Sequence, residues 1–334
     1  MTKKLLLTQP LRTFLIALTI GFFGCNNPSQ LTNISSANTP ASDELTNKLP
    51  KVVATTSILC DLTKQIARDT VKLTCLIPSN SNPLVYEPKP EDGDAIEQAQ
   101  LILYNGYDLE PNLVQLIRTR NNSGLRVAVA QRAVSKPIKV KVEKTTLANP
   151  YVWHNAKNAI GMVDVISRNL GKTVPENASL YKDNAQKLKQ ELNQLNTWIS
   201  ERIESIPEDH RKLIATRNAM AYYAKAYDMA YAVVLRGSNP DGMPTPKRTK
   251  ALAKYIRKNQ IPTIFTETTN NSNAVATVAE QANVKISERQ LFVDSLSEPG
   301  TEADTYQKMM VANTRTIVEG LGGTYLIFEP TPTK

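Results

Sequence analysis

Histidine is nearly absent from this chain: His154 and His210 are the only two among 334 residues. Neither lies beside a plausible serine or cysteine nucleophile, so no pair for covalent catalysis is evident. Glycine is also scarce, at 13 residues, and no glycine-rich loop of the phosphate-binding kind occurs. These shortages argue against an enzyme.

Basic runs interleaved with aromatic residues are missing as well. Lys and Arg outnumber Asp and Glu by 40 to 31, a formal net charge of +9, while aromatic residues make up 6%. Without such runs we set nucleic-acid binding aside. We interpret the excess charge as the lysine-rich surface of a globular protein that is long enough for two domains.

The one long apolar segment lies at the N-terminus. Three cations precede residues 13–23, an apolar run too short to span a bilayer comfortably, and Gly24 and Cys25 follow. The pattern predicts a signal peptide over residues 1–24 and resembles a bacterial lipoprotein cleavage site, with the lipid on Cys25. Secretion without a lipid is the alternative. The polar residues that follow, to position 48, predict a flexible tether (25–48).

Two further cysteines, Cys60 and Cys75, remain for the folded part of an exported protein. An even pair in an oxidising compartment is a disulfide candidate. Two buried free thiols are the alternative, and the sequence does not decide between them.

Short apolar runs alternate with helical patterns along the rest of the chain. The first strands are predicted at "KVVATTS", "VKLTCLIP", "LILYN" and "LRVAVA", and a second set at "KLIAT", "YAVVL", "PTIFTE" and "RQLFVD". This alternation predicts an α/β fold with two lobes, each a mostly parallel sheet flanked by helices. We assign the lobes to residues 49–170 and 208–334.

One long helix is predicted between the lobes, in segment 171–207. A capping-box pattern begins at Thr173, apolar residues then recur every three or four positions as far as Ile206, and Pro207 stops the helix. About 33 residues would span roughly 50 Å. We expect this helix to act as a strut that limits hinge motion.

Ligands of open α/β sheets bind beyond the carboxyl ends of the strands. Arg217 follows "KLIAT", Glu267 follows "PTIFT", and Asp294 ends "RQLFVD". The loop "ANPYVWHN", which holds Tyr151 and His154, follows the first lobe. These loops are expected to line one cleft.

Several segments of the chain resemble a known family. They are "PLVYEPKPED", "LILYNGYDLEP", "VWHNAKNAIGMV", "RKLIATRNAMAYYAKAY" and "FVDSLSEPGTEADTYQKMMVANTRTIVEGL". Their order and spacing are similar to those of the solute-binding proteins of zinc and manganese ABC importers, over about residues 50–322. The resemblance implies a monomeric receptor, periplasmic or cell-surface, that delivers one divalent metal to a membrane permease.

The same resemblance implies four metal-ligand positions between the lobes. They fall here on Leu84, Tyr151, Arg217 and Asp294. Leucine has no donor atom, a neutral phenol is a poor ligand, and arginine offers no lone pair. Only Asp294 keeps the side chain that the family pattern requires.

Four interpretations of the cleft stay open. Arg217 and Asp294 would form an ion pair where the metal would lie, with Tyr151 hydrogen-bonded to one of them. Alternatively, Asp294 forms a weak, oxygen-rich site that suits manganese or calcium better than zinc, together with loop carbonyls and the side chains of Glu267, Tyr151 and His154. A receptor for a small anion and an adhesive or structural lipoprotein are the other two. We expect His154 to be structural or on the surface, and His210 to be solvated.

Overall fold

The computed structural model describes residues 49–142, 145–235, 243–269 and 272–331. They belong to one compact unit that runs from Asp43 to the C-terminus. The predicted signal peptide, the tether and Cys25 lie outside the described residues. No helix in the described ranges is long and apolar enough to cross a membrane.

Four parallel strands form the first sheet, in the order β2-β1-β3-β4. Their bounds are Lys51–Ala54 (β1), Lys72–Cys75 (β2), Leu101–Tyr104 (β3) and Leu125–Ala128 (β4). The central strands β1 and β3 are almost wholly apolar because both of their faces are buried. The helices of this half are Ser57–Ala67 (α1), Pro90–Gln98 (α2), Pro111–Thr119 (α3) and Val129–Ala133 (α4).

An antiparallel hairpin, which the sequence did not predict, follows the first sheet. It consists of Lys139–Val142 (β5) and Thr145–Ala148 (β6). Its end leads directly into Asn149–Tyr151, so the hairpin delivers the "ANPYVWHN" loop to the cleft.

The second half also pairs its strands in parallel. Lys212–Ala215 (β7) pairs with Ala230–Val233 (β8), and Thr263–Ile264 (β9) pairs with Lys285–Ile286 (β10). A backbone hydrogen bond from Phe265 to Ile214 joins the two pairs. The fourth strand lies earlier in the chain than predicted, at Lys285–Ile286. The segment "RQLFVD", where it was expected, makes only one bridge, from Leu291 to Glu267.

Helices cover the second sheet and close the chain. Their bounds are Ala221–Ala226 (α7), Pro246–Lys258 (α8), Asn273–Ala282 (α9) and Tyr306–Gly320 (α10).

The long helix is shorter than predicted. Ala156–Thr173 (α5) ends where the strut was expected to begin, and Ala178–Glu204 (α6) follows after a short 3-10 turn. Pro175 causes the break, because a residue before proline avoids the helical region, and Val174 has φ −133° and ψ 75°. The Thr173 hydroxyl donates a hydrogen bond to the Asn169 carbonyl within α5 and does not cap the start of α6.

The apolar stripe of α6 is buried as its spacing predicted. Helix α6 has 27 residues and packs against α1, α5 and α10. The expected class, an α/β fold of mostly parallel sheets with one long helix, is confirmed.

Candidate functional site

Arg217 is the centre of the predicted cleft. It follows β7 in an extended conformation, and its side chain is 5% exposed. Its Nη2 lies 2.6 Å from Asp294 Oδ2, and its Nε lies 3.2 Å from Glu267 Oε2. The backbone N–H of the same residue donates to Glu267 Oε1 at 3.0 Å. One guanidinium therefore binds two fully buried carboxylates.

The sheet explains why these groups meet. Arg217 and Glu267 each follow a strand, β7 and β9, and Asp294 comes three residues after the bridge at Leu291. Because these segments run in parallel, their carboxyl ends lie at one edge of the sheet.

Tyr151 completes the network from the other half of the chain. Its hydroxyl donates to Asp294 Oδ1 at 3.0 Å and accepts from Arg217 Nη1 at 2.9 Å. Thr269, which the sequence did not indicate, donates its hydroxyl to Asp294 Oδ2. Asp294 thus accepts three hydrogen bonds from three segments of the chain.

The electrostatics favour a charged Arg217. Burial opposes this charge, but Asp294 and Glu267 outweigh it, so the pKa of Arg217 lies above its ordinary value. Burial raises the pKa of Glu267, and the attraction of Arg217 opposes that rise. Burial and the nearby Asp294 raise the pKa of Tyr151, which therefore remains a neutral phenol.

Leu84 lies at the wall of a cavity of about 470 Å³ beside this network. It belongs to a short 3-10 turn, Pro83–Val85, and is half-buried. Tyr151 and Arg217 line the same cavity. The wall of the cavity therefore includes an apolar side chain, Leu84, and a phenol, Tyr151.

A divalent metal would compete with Arg217 for the carboxylates of this site. Both carboxylates are occupied by Arg217, and its positive charge would repel a cation nearby. Within the described residues, no group of three or more His, Cys, Asp and Glu side chains could hold a metal ion. The arrangement can instead hold the cleft together by charge-assisted hydrogen bonds.

His154 is fully buried, and its ring stacks on that of Tyr151 with the centroids 6.5 Å apart. Its Nε2 lies 3.0 Å from the Val293 carbonyl oxygen, which can only accept, so Nε2 carries the proton. Burial lowers the pKa of His154 to about 4, and the ring is neutral near pH 7. His210 is half-buried, and its Nδ1 lies 3.3 Å from the Leu321 carbonyl oxygen.

Two buried asparagines, Asn149 and Asn105, form hydrogen bonds that fix the backbone of the Tyr151 loop. Asn149 accepts from the backbone N–H of Tyr151 and donates to the Asn218 carbonyl at 2.7 Å. Asn105 donates to the Pro150 carbonyl at 3.2 Å, and its own N–H donates to Glu110 Oε1 at 2.6 Å. Burial raises the pKa of Glu110 to about 7. The only sequence signal for Glu110 is its position directly before Pro111, at a helix start.

Cys60 and Cys75 are joined by a disulfide, with their Cα atoms 5.7 Å apart. The bridge links α1 to the end of β2.

Relatives of the chain were found by sequence and by structure. A family model for the zinc-uptake complex component A, periplasmic (ZnuA), matches residues 52–320. The metal ABC transporter substrate-binding lipoprotein SsaB of Streptococcus sanguinis is 31% identical over 305 residues, which cover 90% of this chain and 94% of that protein. The manganese ABC transporter substrate-binding lipoprotein PsaA of Streptococcus mitis is 32% identical over 278 residues, or 81% and 89%.

Solved structures agree with the sequence comparison. The periplasmic zinc binding protein TroA from Treponema pallidum matches with a TM-score of 0.75 and 27% identity, over 82% of this chain and 99% of that one. A Mn-bound periplasmic metal binding protein from Candidatus Liberibacter asiaticus matches with a TM-score of 0.73 and 27% identity, over 81% and 98%. The chain therefore belongs to the ZnuA family of periplasmic zinc-uptake components.

Proposed function

We propose that this protein is a non-catalytic, extracytoplasmic solute-binding protein of the metal ABC importer type, in which Arg217 closes the site that relatives use for a cation. Family membership and the names of the relatives support the receptor role. One observation carries the closure by Arg217: its guanidinium bonds both Glu267 and Asp294.

The charge balance supports this reading. A unit charge about 4 Å from another interacts by about 4 kcal/mol at an effective dielectric near 20, so a divalent cation beside Arg217 would face about twice that in repulsion. To bind a metal, Glu267 and Asp294 would also have to release the guanidinium. Leu84 and Tyr151 would supply little in return, because one has no donor atom and the other is a neutral phenol.

The proposed location follows from the N-terminal segment and from relatives that are named lipoproteins. Cys25 would carry the lipid and become the first residue of the mature chain. Residues 26–48 would then separate this anchor from the folded body, which would meet an ABC permease at the membrane.

A gain-of-function variant tests the proposal. Leu84→His, Tyr151→His and Arg217→His together restore imidazoles at the three replaced positions and leave Asp294 in place. In calorimetric titrations with manganese and zinc, we expect one-site binding by this variant and no saturable heat for the unchanged protein. Adding Asp294→Ala to the triple variant should abolish its binding. Saturable binding by the unchanged protein would overturn the closure by Arg217.

A further inference from the structure

Helix α8 concentrates the positive charge of the chain. Its 13 residues, PKRTKALAKYIRK, include six Lys or Arg and no Asp or Glu. The whole chain has 40 basic and 31 acidic residues, an excess of 9. The net charge of this helix, six basic minus no acidic residues, therefore equals two thirds of that excess, so the charge is not spread evenly over the surface.

Four lysines of α8 form a stripe on its exposed side. Lys247, Lys250, Lys254 and Lys258 are spaced by three, four and four residues, which places them within about 80° of arc at 100° per residue. All four are exposed, whereas the opposite face is buried in the second core. The stripe is about 16 Å long at 1.5 Å per residue. We call these four residues the lysine stripe.

Within the part of the chain that the structure describes, no acidic side chain pairs with the lysine stripe. None of its four side chains forms an ion pair or a hydrogen bond with another residue in the described ranges. The neighbouring helix α9 contributes one acidic residue, Glu280. Tyr255 lies beside the stripe and is 37% exposed, which adds an amphipathic ring suited to the boundary between water and lipid.

We propose that the lysine stripe binds anionic lipid headgroups, so that this flank of the folded body rests on the membrane. The inference relies on the proposed function for one point, the lipid at Cys25, which keeps the body near a membrane. The 23 residues between Cys25 and Leu49 can span at most about 80 Å, enough to present this flank to the surface. A one-sign stripe with an exposed tyrosine suits headgroup phosphates, because several lysines near an anionic surface attract it together.

Vesicle co-sedimentation tests the proposal. The mature chain carrying Cys25→Ser, and therefore no lipid, is mixed with vesicles of phosphatidylcholine alone or with added phosphatidylglycerol. We expect binding only to the vesicles that contain phosphatidylglycerol, and loss of binding at high salt. Changing the four stripe lysines to Gln should weaken partitioning at least about tenfold.

A control variant separates the stripe from net charge. It replaces four exposed lysines on other helices with Gln, so its total charge equals that of the stripe variant: Lys64, Lys157, Lys182 and Lys187. This control should partition like the unchanged chain. An equal loss in both variants would overturn the proposal, because net charge alone would explain it.

If the unchanged chain does not sediment with the anionic vesicles, the proposal is overturned. An acidic protein surface would then be the remaining candidate partner of the stripe. The assay contains neither a lipid on Cys25 nor a metal. It can therefore fail while the proposed function holds, and the metal titration can fail while this proposal holds.

Discussion

Replacing Arg217 by Met should destabilise the protein far more than loss of an ordinary surface ion pair. The variant keeps much of the side-chain volume but leaves Glu267 and Asp294, both fully buried, without their cation. Breaking a buried pair by removing one partner costs about 3–5 kcal/mol. We expect a loss of this size in the free energy of unfolding at neutral pH.

The loss should depend on pH in a defined direction. Arg217 lowers the pKa of Glu267 against the effect of burial, so its removal moves the folded-state pKa further above the ordinary value of 4.5. A group with a raised folded-state pKa contributes stability below its unfolded-state pKa, and this contribution is lost as pH rises through the folded-state value. The variant should therefore be closer to the unchanged protein at about pH 5 than at about pH 8.

Urea unfolding measures these differences. Arg120→Met is a matched control, because the ion pair of Arg120 with Glu97 has side chains 38% and 41% exposed. It should cost less than about 1 kcal/mol. Adding Glu267→Gln and Asp294→Asn to Arg217→Met should restore much of the lost stability. If Arg217→Met stays within about 1 kcal/mol of the unchanged protein near pH 7, the buried ion cluster does not hold the cleft together as described.

Three further outcomes are expected. The pKa of Glu110 is raised from 4.5 to about 7. The stability that its neutral form contributes, about 3 kcal/mol, is therefore lost as pH rises through this range. Glu110→Gln should flatten the decline in the free energy of unfolding between about pH 5 and pH 8, as measured by urea titrations. Reducing the Cys60–Cys75 bridge, of sequence separation 15, should lower the free energy of unfolding by about 3 kcal/mol, measured with and without dithiothreitol. Phe328→Ala removes a ring whose centroid lies 5.5 Å from that of Trp198. The variant should lose about 1–2 kcal/mol of the free energy of unfolding, and its tryptophan fluorescence should shift to longer wavelength. An unchanged spectrum would contradict the packing of the C-terminal segment on α6.

The sequence predicted the parts of the fold that depend on periodicity. Alternating apolar runs located the central strands, and the stripe from Tyr181 to Ile203 located the buried face of α6. The start of that helix was wrong because Pro175 outweighed the capping pattern at Thr173. The last strand was misplaced because "RQLFVD" is apolar enough to look like a strand, although only Leu291 pairs.

The cleft was predictable only in part, for a physical reason. Parallel strands bring their carboxyl ends to one edge, so the sequence alone links Arg217 to Asp294. The sequence offered Glu267 only as a weak metal candidate, whereas it shares the guanidinium with Asp294. The contacts that Thr269 makes with Asp294, and that Asn149 and Asn105 make with the Tyr151 loop, join loops distant in the sequence. No pattern along the chain predicts which loop residues come within hydrogen-bond distance.

Thermal unfolding of the mature chain with and without a divalent cation tests the central claim most directly. A ligand at about 100 times its dissociation constant stabilises a folded protein by about 2.7 kcal/mol, which shifts the transition visibly. We predict no saturable shift of Tm with manganese, zinc or calcium, because Arg217 already binds the two carboxylates. A saturable rise in Tm that Asp294→Ala removes would contradict the account and assign a working metal site to this cleft.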